Sequence, residues 1–420
     1  MSGTGRLPEE LMMHPRQHIA IIGGNFAGLT AAVRLSSRHA VTVIDPSAHF
    51  EWMPNIHELL SNVKTAQSLR LDRAAIVEQA GHRFLQDRVT ELHPDQSRLL
   101  TADGQELSFD ACIVAAGALW NNHGVPGAAR HALPCRSIAD ALAIEQRLST
   151  VVQQGKPLHI VIVGGGISGI EALGEILRRY RAAPGLSINV VEAGERLLPG
   201  LPAVLDADLR RLCQPHAVRF HTGTAIASVS TNGVHLSDGT RLPSELTLWT
   251  AGLAAPALLA QAGLTQAEQV WADVHPTLQS QHASNIFVVG DCAQLPQAVA
   301  KQAFNAIDMG ELAAINVTRW LAGAALKPYQ ASSKPLLIAF GDLDTYLVSG
   351  ETVLASQALA GAKEGVFQLF MSQMSPRCVL HNLPAAGDRL LQSLRELAWP
   401  QLRSLADLST LAERRLLRVL

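Results

Sequence analysis

Two stretches of the chain repeat one order of apolar and polar positions. A run of β-branched residues enters a glycine-rich turn, an Ala- and Leu-rich segment follows, and a second apolar run ends at an acid. The apolar runs are 19–22 and 41–44 in the first stretch, and 160–163 and 188–191 in the second. The pattern predicts strand, turn, helix and strand twice, with each helix forming the right-handed crossover between two parallel strands.

Both turns have the G-x-G-x-x-G spacing of a dinucleotide site. The first is Gly23-Gly24-Asn25-Phe26-Ala27-Gly28, closed by Asp45, and the second is Gly164-Gly165-Gly166-Ile167-Ser168-Gly169, closed by Glu192. Glycines let the backbone approach a pyrophosphate, the helix N-terminus offers N–H groups, and the acid accepts a hydrogen bond from a ribose hydroxyl. Asn25 replaces the middle glycine, and asparagine tolerates left-handed backbone angles. Two such turns predict two bound dinucleotides and electron transfer between them.

The acid of the second turn favours one nucleotide. A carboxylate at Glu192 would accept from a 2′-hydroxyl and repel a 2′-phosphate, which predicts NADH rather than NADPH. No arginine directly follows it, and Arg196 lies four residues on. The residues leave open that Glu192 is only a solvated acid at a strand end.

The predicted fold class is α/β, with two Rossmann-like domains and a C-terminal α+β region. If the apolar run 285–289 returns to the first sheet, the first domain is split into 17–125 and 275–328, and the second domain is 126–274. The third region, 329–420, begins with strand-like runs at 336–340 and 345–349 and ends in a Leu/Arg-rich helical pattern. Residues 1–16 are expected to be a disordered leader.

Composition narrows the class further. The 420 residues carry a formal charge of −2, which gives no global attraction to nucleic acid. No apolar run is long enough to span a bilayer, and the N-terminus has no apolar signal segment. The cysteines have no paired spacing and no metal-site pattern, so we expect a reducing, cytoplasmic environment; they are Cys112, Cys135, Cys213, Cys292 and Cys378.

These motifs resemble a known family. The features between about His18 and Trp320 are similar to the two-dinucleotide flavoproteins, and within them to type II NADH:quinone oxidoreductases and apoptosis-inducing-factor-like quinone reductases. They are the first turn with the following leucine, the Ala-Ala-Gly at 115–117, the Thr-Ala-Gly at 250–252, and the run from 285 to 293 with its Gly290-Asp291 pair.

The resemblance implies FAD at the first turn and NADH at the second. On the FAD side it implies the turn residues 23–28 and, beyond them, Asp45, Val89, Gly117, Gly290 and Asp291. On the NADH side it implies the turn residues 164–169 with Glu192 and Gly252. A quinone or quinone-like molecule would then be the electron acceptor.

The resemblance also implies the reacting region. The segment 297–303 resembles a helix that carries an AQxAxQ motif against the flavin ring, with Gln302 matching the second glutamine, Ala298 replacing the first, and Lys301 added. Lys301 could stabilise anionic reduced flavin or be an exposed helix residue. The resemblance implies that Glu171 lies near the nicotinamide and the flavin. The alternative is that Glu171 and Glu175 do no more than complement the helix N-terminus. Near Trp52, His57 is a candidate proton donor, or a structural histidine.

Several alternatives remain open at this level. Disulfide reductases need a cysteine pair that this sequence lacks, and a sulfide:quinone-type reductase would need Cys135 and Cys378 to meet. A biosynthetic flavoenzyme acting on one metabolite, and a redox-sensing binding protein, are the other two. The apolar and arginine-rich tail, 390–417, suits peripheral contact with the inner face of a membrane, or packing in a homodimer or against another domain.

Overall fold

The computed structural model describes residues 16–266, 270–331 and 334–375, and the backbone of 415–418. The described residues form two compact units. Unit 1 comprises the described residues within 1–48, 73–117 and 256–329. Unit 2 comprises the described residues within 49–72, 118–255 and 330–420.

Unit 1 is built on a five-stranded parallel sheet. Its strands, in spatial order, are Ile286–Val288, Ala111–Val114, His18–Ile22, Ala40–Ile44 and Arg83–Leu85. The central strands are buried on both faces, which explains their continuous apolar sequence. The strand 286–288 therefore returns to the first sheet, as its apolar run suggested.

Helices and small sheets complete unit 1. Its α-helices are Phe26–Arg34, Arg73–Gln79, Ala257–Gln261 and Ala303–Leu321. Short 3₁₀ turns are Pro94–Gln96 and Gly290–Cys292, an antiparallel sheet contains Val89–His93, Arg98–Thr101 and Glu106–Ser108, and Ala272–Asp273 pairs with Ala293–Gln294. The first and last helices touch closely: a Cβ on Gly310 would lie 2.3 Å from the Ala27 carbonyl oxygen.

Unit 2 repeats the arrangement. Its parallel sheet has the order Ala132–Pro134, Leu246–Trp249, Leu158–Val163, Leu186–Glu192 and Val218–Thr222. The helices are Ala128–His131, Ile138–Gln153, Ile167–Tyr180, Val204–Cys213 and Leu359–Met374. An antiparallel sheet contains Ile226–Ser230, Gly233–Leu236 and Arg241–Pro243, and Leu119–Trp120 pairs with Leu253–Ala254.

A second antiparallel sheet of unit 2 lies on the helix that follows the second turn. Its strands are Leu336–Phe340, Asp344–Ser349, Thr352–Ala355 and Arg415–Arg418. The contact is made where Gly174 meets Gly341, since a Cβ on Gly174 would lie 2.4 Å from the Gly341 nitrogen. His49–Glu51 pairs with Arg70–Asp72, and Met53–Leu59 and Gln67–Leu69 are 3₁₀ helices.

The two strand–turn–helix–strand patterns are confirmed, and so are the strand-like runs at 336–340 and 345–349. The helical pattern expected at the end of the chain is wrong at 415–418. Residues 415–418 pair as a strand with 352–355, because the free edge of an antiparallel sheet accepts them. The rest of the expected helical tail, with Cys378, and nearly all of the leader lie outside the described residues. Within the described part, no helix combines the length and apolarity that crossing a membrane requires.

Candidate active site

The first glycine turn is fixed by close backbone contacts. Gly23 has a φ of +93°, and a Cβ there would lie 2.3 Å from the Ala115 carbonyl oxygen. A Cβ on Gly28 would lie 1.9 Å from the Gly23 carbonyl oxygen. Asn25 has a φ of −98°, so the left-handed tolerance invoked for it is not needed. Asn25 precedes the helix, whose first residues, Phe26 and Ala27, are buried.

The acid of the first turn is held from two sides. Asp45 accepts hydrogen bonds from the Gly24 nitrogen and from the Ser47 nitrogen, each at 2.8 Å. It is also 2.7 Å from Nη1 of Arg73, whose side chain is 3% exposed. Arg73 could not be found from the sequence, because it lies 28 residues from Asp45 and belongs to no motif.

Apart from Val89, the other FAD-side residues lie at the same edge of the unit 1 sheet. Parallel strands ending at 22, 44, 114 and 288 bring the first turn, Gly117 and Gly290 to their carboxyl ends, where nucleotides bind in such sheets. Gly117 has open space where a Cβ would stand, and Gly290 has a φ of +72°. Val89 is buried in a strand of the small antiparallel sheet. The crowded turn, the open backbone and the oriented acid fit the phosphate and ribose parts of FAD.

A cavity of about 210 Å³ adjoins the Gly290-Asp291 pair and is lined in part by Ala298, Lys301 and Gln302. The expectation of a helix over 297–303 is wrong: the helix begins at Ala303, and Gln302 is its extended N-cap residue. The Ala300 carbonyl oxygen accepts a hydrogen bond from the Asn305 side chain at 2.8 Å, so side-chain contacts hold this segment in place of helical backbone hydrogen bonds.

Lys301 is held by local partners in unit 1. Its ammonium donates to the Asp291 carbonyl oxygen and lies 3.7 Å from the centre of the Trp271 ring. Burial lowers the pKa of Lys301, against the raising effect of Asp291. Of its two sequence interpretations, an exposed helix residue is excluded, because Lys301 precedes the helix and is half-buried.

The second glycine turn has the same construction. Gly164 has a φ of +102°, and a Cβ on Gly169 would lie 2.0 Å from the Gly164 carbonyl oxygen. Gly166 precedes the helix that begins with Ile167 and Ser168, and nothing lies within 4 Å of its Cβ position. Open space at the middle glycine, beside a helix N-terminus, is what the approach of a pyrophosphate requires.

Glu192 closes the second turn as Asp45 closes the first. Its carboxylate accepts hydrogen bonds from the nitrogens of Gly165 and Gly194, each at 2.8 Å. Among the residues that the structure describes, no lysine or arginine forms an ion pair with it. Arg196 instead donates to the Leu198 carbonyl oxygen at 3.4 Å.

Gly252 lies at the end of a neighbouring strand of unit 2. It has a φ of +78°, and a Cβ there would lie 2.0 Å from Nε2 of His123. The imidazole therefore covers the backbone at this position. Thr250, two residues earlier, donates to the Val163 carbonyl oxygen at 2.9 Å and joins the Thr-Ala-Gly motif to the second turn.

The helix after the second turn carries Glu171 into a buried polar cluster of unit 2. Glu171 forms an ion pair with Lys363, accepts from the Ala339 nitrogen at 3.2 Å, and lies 3.4 Å from Nδ1 of His57. Burial raises the pKa of Glu171, and Lys363 opposes the shift. Burial, followed by Lys363 and Arg178, lowers the pKa of His57 well below its ordinary value, so the imidazole is neutral.

The cluster continues along the same helix and the 3₁₀ helix 53–59. Glu175 accepts from the Ser61 hydroxyl and lies 3.3 Å from Arg178, and burial raises its pKa to about 7. Lys64 forms ion pairs with Glu364 at 2.6 Å and Glu58 at 3.8 Å. Glu171 and His57 were both expected in the reacting region. Lys363 and Lys64 could not be found from the sequence, because their partners lie up to 300 residues away.

The four described cysteines, Cys112, Cys135, Cys213 and Cys292, are all buried. Burial raises the pKa of Cys135 and Cys213 to about 12 and that of Cys292 to about 11, and it raises the pKa of Cys112 as well. Thiols in this state are poor nucleophiles. In the described residues no group of three or more His, Cys, Asp or Glu side chains could hold a metal ion.

Two glycine turns, each closed by an acidic residue and each at the edge of a parallel sheet, define an oxidoreductase of the two-dinucleotide fold. The family model described as pyridine nucleotide-disulphide oxidoreductase matches residues 17–310, and the chain belongs to this family. The predicted fold class and family resemblance are thereby confirmed.

Two individual relatives are each 25% identical to this chain. Demethylphylloquinone reductase NdbB from Synechocystis sp. is 25% identical over 358 residues, which cover 81% of this chain and 88% of the relative. Type II NADH:quinone oxidoreductase from Haemophilus influenzae is 25% identical over 383 residues, covering 78% and 85%.

Two solved structures show the shared fold. NDH2 from Plasmodium falciparum in complex with NADH has a TM-score of 0.79 at 15% identity, covering 92% of this chain and 99% of that one. The sulfide:quinone oxidoreductase from Aquifex aeolicus has a TM-score of 0.75 at 17% identity, covering 85% and 91%.

Proposed function

We propose that this chain is a FAD-dependent NADH:quinone oxidoreductase. NADH, a proton and a quinone would yield NAD⁺ and the quinol. When bound at the first turn, FAD supplies the two-electron chemistry that links the nicotinamide to the acceptor. The relatives from Synechocystis sp. and Haemophilus influenzae are both named for quinone reduction, and the family is one of pyridine-nucleotide oxidoreductases.

The observation that carries the donor assignment is the Glu192 carboxylate, fixed by two backbone N–H groups. A fixed acceptor at this place binds the 2′-hydroxyl of NADH, while a 2′-phosphate would be repelled by a charge that no described cation offsets. NADH is therefore the proposed donor, bound through residues 164–169 and Glu192. Gly252 completes the proposed site.

Quinone reduction takes up protons, and we assign that task to the buried cluster of unit 2. Glu171 is a buried acid whose pKa is raised by burial, so its carboxylate takes up a proton more readily than an exposed glutamate would. Lys363 positions the carboxylate, and neutral His57 lies within 3.4 Å of it. His57 would then be an acceptor and relay of the proton rather than its resting store.

Lys301 and Gln302 are the proposed acceptor-side residues of unit 1. Both line the cavity beside Asp291. An ammonium held at this place by Trp271 and a backbone carbonyl would stabilise negative charge on reduced flavin.

Anaerobic mixing of the purified protein with NADH, NADPH or sulfide, followed by ubiquinone-1 or menadione, tests the proposal. We expect the yellow protein to be bleached fastest by NADH and reoxidised by a quinone. Reduction by sulfide without NADH, or reduction by NADH with no quinone turnover, would contradict it and favour a sulfide-linked or redox-sensing function. Turnover only with another metabolite would indicate a biosynthetic flavoenzyme.

We also propose a cytoplasmic protein that contacts the inner face of the membrane. The helix 359–374 exposes 60% of Leu369 and 37% of Val366, and the arginine-rich tail follows it in sequence. Flotation of the full chain with anionic vesicles tests this. A stable dimer that does not float would favour packing of the tail between two copies.

A further inference from the structure

Arg73 is a buried arginine that the proposed function does not use. It begins the helix 73–79, and its Nε donates to the Gly24 carbonyl oxygen at 2.6 Å. Its Nη1 lies 2.7 Å from Asp45 and also donates to the Ser47 carbonyl oxygen. One guanidinium thus joins the backbone of the first glycine turn to the acid that closes it.

This arrangement accounts for Gly24, which stands at a variable position of the G-x-G-x-x-G spacing. A Cβ on Gly24 would lie 2.6 Å from Cδ and 2.8 Å from Nε of Arg73, so any side chain there would displace the guanidinium. The Phe84 ring covers the group at 5.9 Å. A guanidinium is costly to bury unless its donors are paired, and here Nε and Nη1 donate to three local acceptors.

Among the residues that the structure describes, no arginine or lysine takes the equivalent place at the second turn. The Cβ position of Gly165 is filled by Cδ2 of Leu197 at 2.9 Å, in place of an arginine. The two acids otherwise have the same pair of backbone donors. The two turns therefore differ by one buried positive charge under the acid.

We propose that Arg73 is a positioning residue for FAD, which makes the first turn a site of permanent rather than exchangeable binding. The guanidinium offsets the repulsion between Asp45 and the FAD pyrophosphate, and it keeps the carboxylate oriented toward the ribose hydroxyls before the cofactor arrives. The uncharged second turn suits a nucleotide that leaves in every turnover. This inference rests on the assignment of FAD to the first turn.

The test is FAD affinity, measured by quenching of flavin fluorescence when FAD is added to the full-length apoprotein. R73M should bind FAD about 10- to 100-fold more weakly, which is the range for loss of a buried hydrogen bond to a charged group. R83M, at an exposed arginine on strand 83–85 of the same sheet, should remain within about twofold of the wild type.

A double-mutant cycle with D45N separates positioning from general stability. If Arg73 acts through Asp45, the double variant D45N/R73M should lose less affinity than the sum of the two single losses. R73K keeps the charge without the fork and should recover part of the affinity, and it replaces R73M in the cycle if R73M does not fold. Unchanged NADH binding serves as the check that unit 2 is intact.

The outcomes are distinct. An R73M protein, or an R73K protein in its place, that binds FAD as tightly as the wild type overturns the inference and leaves the proposed function standing. Additive losses in the cycle also overturn it, because Arg73 would then support the fold alone. A wild-type protein that binds no FAD contradicts the proposed function itself.

Discussion

The two glycine turns use the same backbone geometry and differ in the residues around it. In each turn the first glycine has a positive φ. A Cβ added to the last glycine of the turn would lie about 2 Å from the carbonyl oxygen of the first. In each, the acid accepts two backbone N–H groups at 2.8 Å. The shared part is what phosphate and ribose binding require, so any difference in task between the two turns must come from the residues around them.

The helices that follow the turns show the largest difference. Seven residues after the first glycine, the first helix has Thr30 and the second has Glu171; eleven residues after it, the first has Arg34 and the second has Glu175. Arg34 is exposed and pairs with Glu311, whereas both acids of the second helix are buried. A nucleotide turn alone does not need buried acids, which supports a chemical role for those of unit 2.

The largest expected effect comes from the glycines that the two turns share. G28A and G169A each place a Cβ about 2 Å from a backbone oxygen, so we expect a loss of about 4 kcal/mol or more in unfolding free energy. G166A is the matched control, because its Cβ would enter open space. It should keep the melting temperature and lose NADH affinity, and a normal affinity would show that the pyrophosphate does not approach Gly166.

Much of this construction can be predicted from sequence, because it is local. Glycine spacing, the apolar strands and the closing acids lie within about thirty residues of one another, and they predicted both turns. The partners of the buried charges could not be predicted in this way. Lys363 meets Glu171 across 192 residues and Lys64 meets Glu364 across 300, and single side chains on an ordinary helix give no periodic signal. The prediction for residues 297–302 was wrong for another reason. A family motif was taken to imply a helix there, whereas the helix begins only at Ala303.

The second effect concerns the cation beside Glu171. K363M would leave that carboxylate buried without its ion-pair partner, and we expect a loss of about 3 kcal/mol in unfolding free energy, measured by denaturant titration. The double variant E171Q/K363M should recover part of it. The control is T30V, at the buried residue of the first helix that corresponds to Glu171. It should lower the unfolding free energy by less than about 1 kcal/mol. A K363M protein as stable as the wild type would show that the pair is not formed.

The third effect is a pH dependence that belongs to unit 2. Burial raises the pKa of Glu175 from 4.5 to about 7, so the folded state binds this proton more tightly than the unfolded state. The stability from this group is therefore fully present below its unfolded pKa and is lost as the pH rises through the folded pKa. The lowered pKa of His57 acts in the opposite direction over part of this range, so the contribution of Glu175 is measured as the wild-type minus E175Q difference in unfolding free energy. This difference should fall by about 1 to 3 kcal/mol between about pH 5 and pH 8, measured by denaturant titration. E195Q, at an exposed residue, should follow the wild type at every pH.

The smallest effect returns to the closing acids and separates their two tasks. E192A removes the carboxylate that repels a 2′-phosphate, so the preference for NADH over NADPH, as a ratio of kcat/KM values, should fall about tenfold. E195A, three residues on and exposed, should keep the wild-type ratio. D45N should also keep it, because FAD carries no 2′-phosphate and Asp45 is already paired with Arg73. If E192A keeps the ratio while D45N changes it, the assignment of the nucleotides to the two turns is reversed.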